Sequence, residues 1–410
     1  MTEVHRSRIF TASCVALIVT AMTFAIRAGI LTHLGEDFQL NNTQLGWING
    51  VAFLGFPVAM MFGGLIYNFL GPKKLLAIAF ICHALGLVMT MTASGFWTLI
   101  LSSFFIGFAN GSVEAACNPL IAELYHDKKT VMLNKFHVWF PGGIVIGALT
   151  SLVMGDVFGL GWQWQIGVML LPTAIYGYLV FVEAFPSLDH TETSTLNNVK
   201  ALASPLFIFM MICMTVTAIS EFGPQQWVEK TLGSSGVHPM VILAMVTGLM
   251  AVGRYFAGPV VEALNPAGVL LASSVVATIG VYTMSFATGP MIYVAAILFA
   301  LGVMYFWPTM IGFVSEYLPK TGALGMSLIG GAGMFSVSIW NPIIGGWLDS
   351  AKEEALAAGK VGAEAELAAG VATLESMALF PAALIVAFTF LFIIRKKLVR
   401  GEIKAEPLAD

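Results

Sequence analysis

Charge is what this chain of 410 residues has least of, since only 10% of its residues are Asp, Glu, Lys or Arg. Soluble globular proteins carry about 25%. The 19 basic and 23 acidic side chains leave a formal net charge of -4. A soluble chain of this length exposes more surface than so few charges solvate, which excludes a soluble enzyme. The apolar content excludes a disordered chain, and the lack of a basic surplus excludes a nucleic-acid binder. Cysteine is equally scarce: Cys14, Cys82, Cys117 and Cys213 lie far apart inside apolar runs. They form no metal-binding spacing and no disulfide framework, and read as buried free thiols. No Ser/His/Asp arrangement, metal cluster or phosphate-binding loop falls on a readable element, so no enzyme, cofactor or metal is expected.

What is abundant is apolar sequence, at 58% of residues, with 30 Phe and 42 Gly. Crossing a bilayer takes about 20 apolar residues in a helix. Twelve runs reach that length, near 9–34, 44–68, 73–93, 97–124, 134–155, 165–184, 203–228, 238–262, 267–287, 290–317, 323–348 and 374–395. The expected fold class is therefore an all-α membrane protein of twelve transmembrane helices. The first run is too long for a signal-peptide core and lacks a small-residue cleavage site, so it is expected to stay.

Basic residues between the runs predict orientation. Arg6, Arg8, Lys73, Lys74, Lys128, Lys129, Lys135, Lys200, Lys320, Arg395, Lys396, Lys397, Arg400 and Lys404 fall on the side of the termini. Only Lys230, Lys352 and Lys360 fall on the other. Both termini are thus expected in the cytoplasm, in a bacterial-type inner membrane. The polar stretch 185–202, with Asp189, His190, Thr191, Glu192 and Lys200, divides the spans six and six. The expected domains are an N-terminal bundle, 1–184, and a C-terminal bundle with its tail, 203–410. A second polar stretch, about 349–373, reads as a short surface helix between spans eleven and twelve.

The halves echo each other. Span four carries Asn118-Pro119 and Glu123 before the Gly-rich opening of span five. Span ten carries Trp307-Pro308, Glu316 and Lys320 before Gly330, Gly331 and Gly333 of span eleven. Such repetition in a twelve-span protein is the pattern of two-bundle transporters.

Charges inside spans are costly, so each needs a reason. Arg27, Glu114, Glu221 and Arg254 lie well inside, and His137 near the terminal-side end of span five. Glu114 is the first candidate for proton coupling, because burial brings a carboxyl toward neutral pH; an ion pair with Arg27 is the structural alternative. Glu221 is the second. Arg254 is expected to brace a gate through carbonyls or Glu316. Asn110, Glu114 and Asn118 recur every four residues and share a helical face. Gln225, Gln226 and Trp227 in span seven, Tyr305 and Trp307 in span ten, and Trp340 and Asn341 in span eleven add amides and aromatic faces. That mixture suits a polyhydroxylated ring. Pro119, Pro141, Pro224, Pro308 and Pro342, with Gly142, Gly143 and Gly147, are expected to act as hinges.

The loop Gly64-x-x-x-Asn68-Phe69-Leu70-Gly71-Pro72-Lys73-Lys74 resembles the signature of the major facilitator superfamily, with its acid and first base replaced by Asn68 and Phe69. Gly253-Arg254-Tyr255-Phe256-Ala257-Gly258 is a second such element. Val113-Glu114-Ala115-Ala116-Cys117-Asn118-Pro119, followed by Leu133-Asn134, and the Pro-Thr of Trp307-Pro308-Thr309, are similar to the fucose/glucose/galactose proton-symporter branch. The resemblance implies two pseudo-symmetric six-helix bundles, and makes Glu114 the protonatable, sugar-contacting glutamate. It places His137 where the family has a substrate-binding glutamine. The family's span-one aspartate falls on Ala28, beside Arg27, so coupling through a span-one acid is not expected.

The expected function is alternating-access transport of a hexose or related polyol coupled to protons, by a monomer whose partners are the sugar and the lipid bilayer. Three alternatives stand beside it: an organic-anion carrier using Arg27 with Arg254, a sodium-coupled symporter, and a non-transporting sensor.

Overall fold

The computed structural model describes residues 5–125, 132, 135–186 and 200–399. The inter-bundle stretch 187–199, with Asp189, His190, Thr191 and Glu192, and residues Lys128, Lys129, Leu133 and Asn134 lie outside them, as do the side chains of Asn68, Phe69, Glu123 and Glu316. Every regular element among the described residues is helical. Among the described residues, eleven helices are long and apolar enough to cross a membrane, and Pro239–Tyr255 is a shorter apolar helix between them. Together they correspond to the twelve apolar runs.

Side chains such as Trp97, Leu171, Leu379, Val386 and Ile393 stand largely exposed around the outside. No soluble monomer presents so continuous an apolar belt to water. Hydrocarbon leaves backbone groups no outside partner, so the spans satisfy them internally as helices.

Two sharp breaks mark equivalent places in the halves. Gly71 (φ 79°, ψ 162°) precedes Pro72 between spans two and three. Asn265 (φ 57°, ψ 162°) precedes Pro266 between spans eight and nine. Proline disfavours the helical region at the residue before it, and these dihedrals turn the chain. Asn265 Oδ1 also accepts the Gly268 N–H, capping span nine. The expected hinges behave differently. Pro119 and Pro342 lie inside the continuous helices Phe96–Leu124 and Gly322–Ala357. Pro141 and Pro308 sit in the first turns of Trp139–Leu152 and Phe306–Tyr317, where a missing N–H costs nothing. Pro224 lies two residues before the end of Pro205–Gln226. The stretch 349–373 also differs from expectation: span eleven runs on to Ala357 and span twelve starts at Ala363, with a turn between and no separate surface helix. Its Ala and Glu residues simply prolong the spans.

The two bundles meet at the face opposite the termini. One apolar core there mixes both halves, with Phe24, Ile26, Leu31 and Phe53 packed among Phe222, Trp227 and Ile344. At the terminal face, a second core of Ile9, Leu17, Leu76, Leu120 and Phe136 belongs to the N-terminal bundle alone. The closest crossing is span two on span eleven. A Cβ at Gly46 would stand 2.5 Å from the Asn341 carbonyl oxygen, and one at Gly50 2.5 Å from that of Ser338. Only glycine allows backbones this near. At the end of the crossing, Asp349 accepts from the Asn42 N–H (3.0 Å), the Thr43 N–H (2.8 Å) and the Thr43 hydroxyl (2.7 Å). A carboxylate of one bundle thus caps a helix N-terminus of the other, where the helix dipole favours negative charge.

The double variant Gly46→Ala/Gly50→Ala should force this crossing apart, weakening the sealed arrangement by roughly 1–3 kcal/mol. Spin labels at Gln39 and Val361, exposed on the two halves, should report a longer distance distribution. An unchanged distribution would show that the crossing does not set the seal.

Candidate functional site

The middle of the molecule carries an aromatic cluster contributed by both bundles. Phe24 lies 5.1 Å from Phe53, 5.7 Å from Phe140 and 5.9 Å from Phe222, and Phe222 lies 6.4 Å from Trp307, ring centre to ring centre. These rings stand between the sealed face and a polar constellation on the terminal side. There, Asn118 Nδ2 donates to Glu114 Oε2 at 2.8 Å, and Asn118 Oδ1 lies 3.0 Å from His137 Nε2. An amide oxygen only accepts, so His137 Nε2 carries the proton and donates. Glu114 is buried while His137 is exposed. Three residues singled out in the sequence therefore form one chain, from a buried carboxylate to a solvent-reached imidazole.

Asn110 is held elsewhere. Its Oδ1 lies 2.8 Å from His83 Nε2, its Nδ2 donates to the Thr23 hydroxyl at 3.0 Å, and His83 Nδ1 lies 2.8 Å from the Tyr176 hydroxyl. This network ties spans one, three, four and six together inside the N-terminal bundle. Helical spacing put Asn110 and Glu114 on one face, but it does not say which neighbour reaches each amide first. Arg27 is likewise not brought to Glu114: both terminal nitrogens of its guanidinium are buried with no hydrogen-bond partner. The Arg27–Glu114 pair, the structural alternative, is not formed: Glu114 is turned one helical turn along its own span to Asn118.

In the C-terminal bundle, Arg254 Nη2 meets Glu221 Oε1 at 3.1 Å, and its Nε donates to the Met304 carbonyl at 2.9 Å. The expected carbonyl brace is present, and the acid at Arg254 is Glu221. The Glu221 side chain is buried, while that of Arg254 is half-buried. That pairing engages one Glu221 oxygen and leaves Oε2 buried without a partner.

Trp227 Nε1 donates to Asn341 Oδ1 at 3.0 Å, while Asn341 Nδ2 donates to the Val337 carbonyl. Gln225 Nε2 points to the Met250 sulfur at 3.6 Å, and Gln226 Nε2 reaches the Phe24 carbonyl at 3.5 Å. Gln226 Oε1 is buried without a partner, an acceptor available to a hydroxyl. Tyr305 and Trp307 are half-buried.

Sequence reading missed Asn49, whose amide oxygen and nitrogen are both buried and unpartnered. It also missed Glu229. Thr32 N–H of span one donates to Glu229 Oε2 at 3.2 Å across the sealed face. Glu229 lies outside the spans, in the short helix Val228–Leu232, and its apolar neighbours were the available signal. Burial pushes its carboxyl up to about 7, against the lowering pull of the Thr32 N–H and Lys230, with Glu36 adding to the rise.

Residues 13–341 match the sequence profile of the Major Facilitator Superfamily. The chain belongs to this superfamily. It is 27% identical over 149 residues to the D-xylose transporter of Levilactobacillus brevis, covering 36% of this chain and 32% of that one. It is 24% identical over 164 residues to the galactose-proton symporter of Escherichia coli (40% and 35%). It is also 26% identical over 219 residues to the sphingosine-1-phosphate transporter SPNS2 of Danio rerio (50% and 43%). The matched stretches thus span less than half of these relatives. Among solved structures, a bacterial homologue of the human lysosomal transporter spinster, inward-facing and unoccupied, aligns over the whole of both chains with TM-score 0.78 at 15% identity. The fucose–proton symporter of E. coli aligns over 93% of this chain and 98% of its own with TM-score 0.59 at 16% identity. The resemblance to sugar–proton symporters and the two-bundle fold are borne out. Family and fold are those of membrane transporters, which are not enzymes.

Two predictions follow from the buried acids. Sealing covers Glu229 and raises its affinity for a proton, so falling pH should favour the sealed state. That advantage should be lost as pH rises through about 7, an effect of up to a few kcal/mol. Label distances across the sealed face between pH 8 and pH 6 should show it, and Glu229→Gln should flatten the response. Glu221→Gln strands the Arg254 charge and should cost about 3–5 kcal/mol. Adding Arg254→Gln should recover part of that loss in thermal unfolding; a purely additive double variant would contradict the pairing.

Proposed function

We propose that the protein moves a monosaccharide or related polyol across the cytoplasmic membrane by alternating access, driven by protons bound at Glu114. The observation that carries this reading is the Glu114–Asn118–His137 chain. It ties a buried carboxylate through a hydrogen-bonded amide to an exposed imidazole, on the terminal side of the aromatic cluster. A charge-assisted hydrogen bond is about twice as strong as a neutral one, so protonating Glu114 loosens its hold on Asn118. The positive-inside pattern supports placing the termini in the cytoplasm, and with the opposite face sealed the site would then be reached from inside.

The sugar assignment draws support from the xylose and galactose relatives and from the free Gln226 oxygen beside aromatic rings. Such a site offers a hydroxylated ring both a hydrogen-bond acceptor and a flat apolar face. The candidate contacts are Glu114, His137, Gln226, Tyr305 and Trp307, with Asn49 added, while Trp227 and Asn341 are engaged with each other. Asn110 and Gln225 act by holding their bundles together. The organic-anion reading has less support, since Arg254 is engaged by Glu221. Sodium coupling draws none from a Glu114 whose nearest partner is an amide N–H, a donor that a cation would not tolerate.

Proteoliposomes holding the full chain test this with hexoses, polyols and sugar acids, with and without a pH gradient. A neutral sugar should accumulate uphill only with the gradient acid outside. Glu114→Gln should abolish accumulation while retaining exchange of sugar across a membrane without a gradient. Gradient-independent uptake by the parent protein, or uphill accumulation by the variant, would remove the proposal.

A further inference from the structure

Arg27 occupies a place that transport by the central site does not explain. It lies in span one with 5% of its surface exposed, and both of its terminal guanidinium nitrogens are buried and unpartnered. A guanidinium cannot shed its proton in a protein, and an uncompensated charge in apolar surroundings costs several kcal/mol or more. The pair that could neutralise it, Glu114, is turned to Asn118.

The side chain lines a cavity of about 20 Å³ inside the N-terminal bundle. Ile48, Ile106 and Ile166 line much of it, and its polar members are Thr23, Thr90 and Ser103. The Thr23 hydroxyl donates to the Thr20 carbonyl and accepts from Asn110, and the Thr90 hydroxyl donates to the Gly86 carbonyl. Among the described residues, no carboxylate lines the cavity. The Ser103 hydroxyl, with no hydrogen-bond partner among the described residues, adds a second donor. A fixed positive charge and a free hydroxyl donor, in an apolar cage without an opposing acid, select an anion. The space holds one or two waters or a single halide ion, and leaves no room for a sugar acid.

We propose that Arg27 and Ser103 form a binding site for one small monovalent anion of the chloride type, structurally separate from the sugar path. The bound ion supplies the missing counter-charge and stabilises the N-terminal bundle by binding the folded state alone.

Purified full-length protein in sodium gluconate, an anion too large for the cavity, provides the test. Chloride or bromide is titrated in at constant ionic strength while the unfolding temperature is followed. Wild-type protein should show a saturable rise of about 2 °C or more. Arg27→Gln should lose that response, and Ser103→Ala should move half-saturation several-fold upward. Chloride-35 line broadening, titrated on the same samples, gives a readout independent of stability. Equal unfolding temperatures in gluconate and chloride, or an undiminished response in Arg27→Gln, would overturn the site. If Arg27→Gln does not fold, Ser103→Ala decides: an unshifted half-saturation overturns the proposal, and a shifted one supports it.

Discussion

The crossing of span two on span eleven is the contact on which the rest of the arrangement depends. Two six-helix bundles in hydrocarbon have no hydrophobic force pressing them together, because lipid is as apolar as they are. Contact must come from close packing and from polar groups that satisfy one another. Gly46 and Gly50 supply the first by letting backbone touch backbone. Asp349 supplies the second by filling the donors at the start of span two. Everything on the terminal side of this seal, including Glu114 and His137, is arranged relative to it.

Polar groups inside the spans divide into two kinds by how fully they are satisfied. The His83–Asn110–Thr23 network has partners on several helices and acts as an internal brace, and the Arg254–Met304 contact and Glu221 Oε1 form a second. Arg27, Asn49, Gln226 Oε1 and Glu221 Oε2 retain buried atoms without partners. Buried unpaired polar atoms are few in folded proteins and each asks for an explanation. In a transporter, unpaired groups near the junction of the bundles are natural ligand contacts, while an unpaired cation within one bundle calls for an ion.

The pseudo-repeat also has a physical content beyond sequence echoes. The matched breaks at Gly71-Pro72 and Asn265-Pro266 have nearly the same dihedrals. Each half uses the steric demand of proline on its predecessor to turn the chain between two spans.

Fold class, the number of spans and the identity of the costly charges were legible in the residues, because a bilayer demands long apolar runs and penalises every exception. Glu114, Asn118 and His137 were picked out on that basis and do come together. What required tertiary structure was the choice of partners. Arg254 found Glu221, Asn110 found His83, and Arg27 found none, since helical spacing sets the face of a side chain but not the helix that meets it. Glu229 and Asp349 escaped notice for a related reason. Both lie at helix ends, where an acidic residue looks like ordinary surface until the opposite bundle covers it.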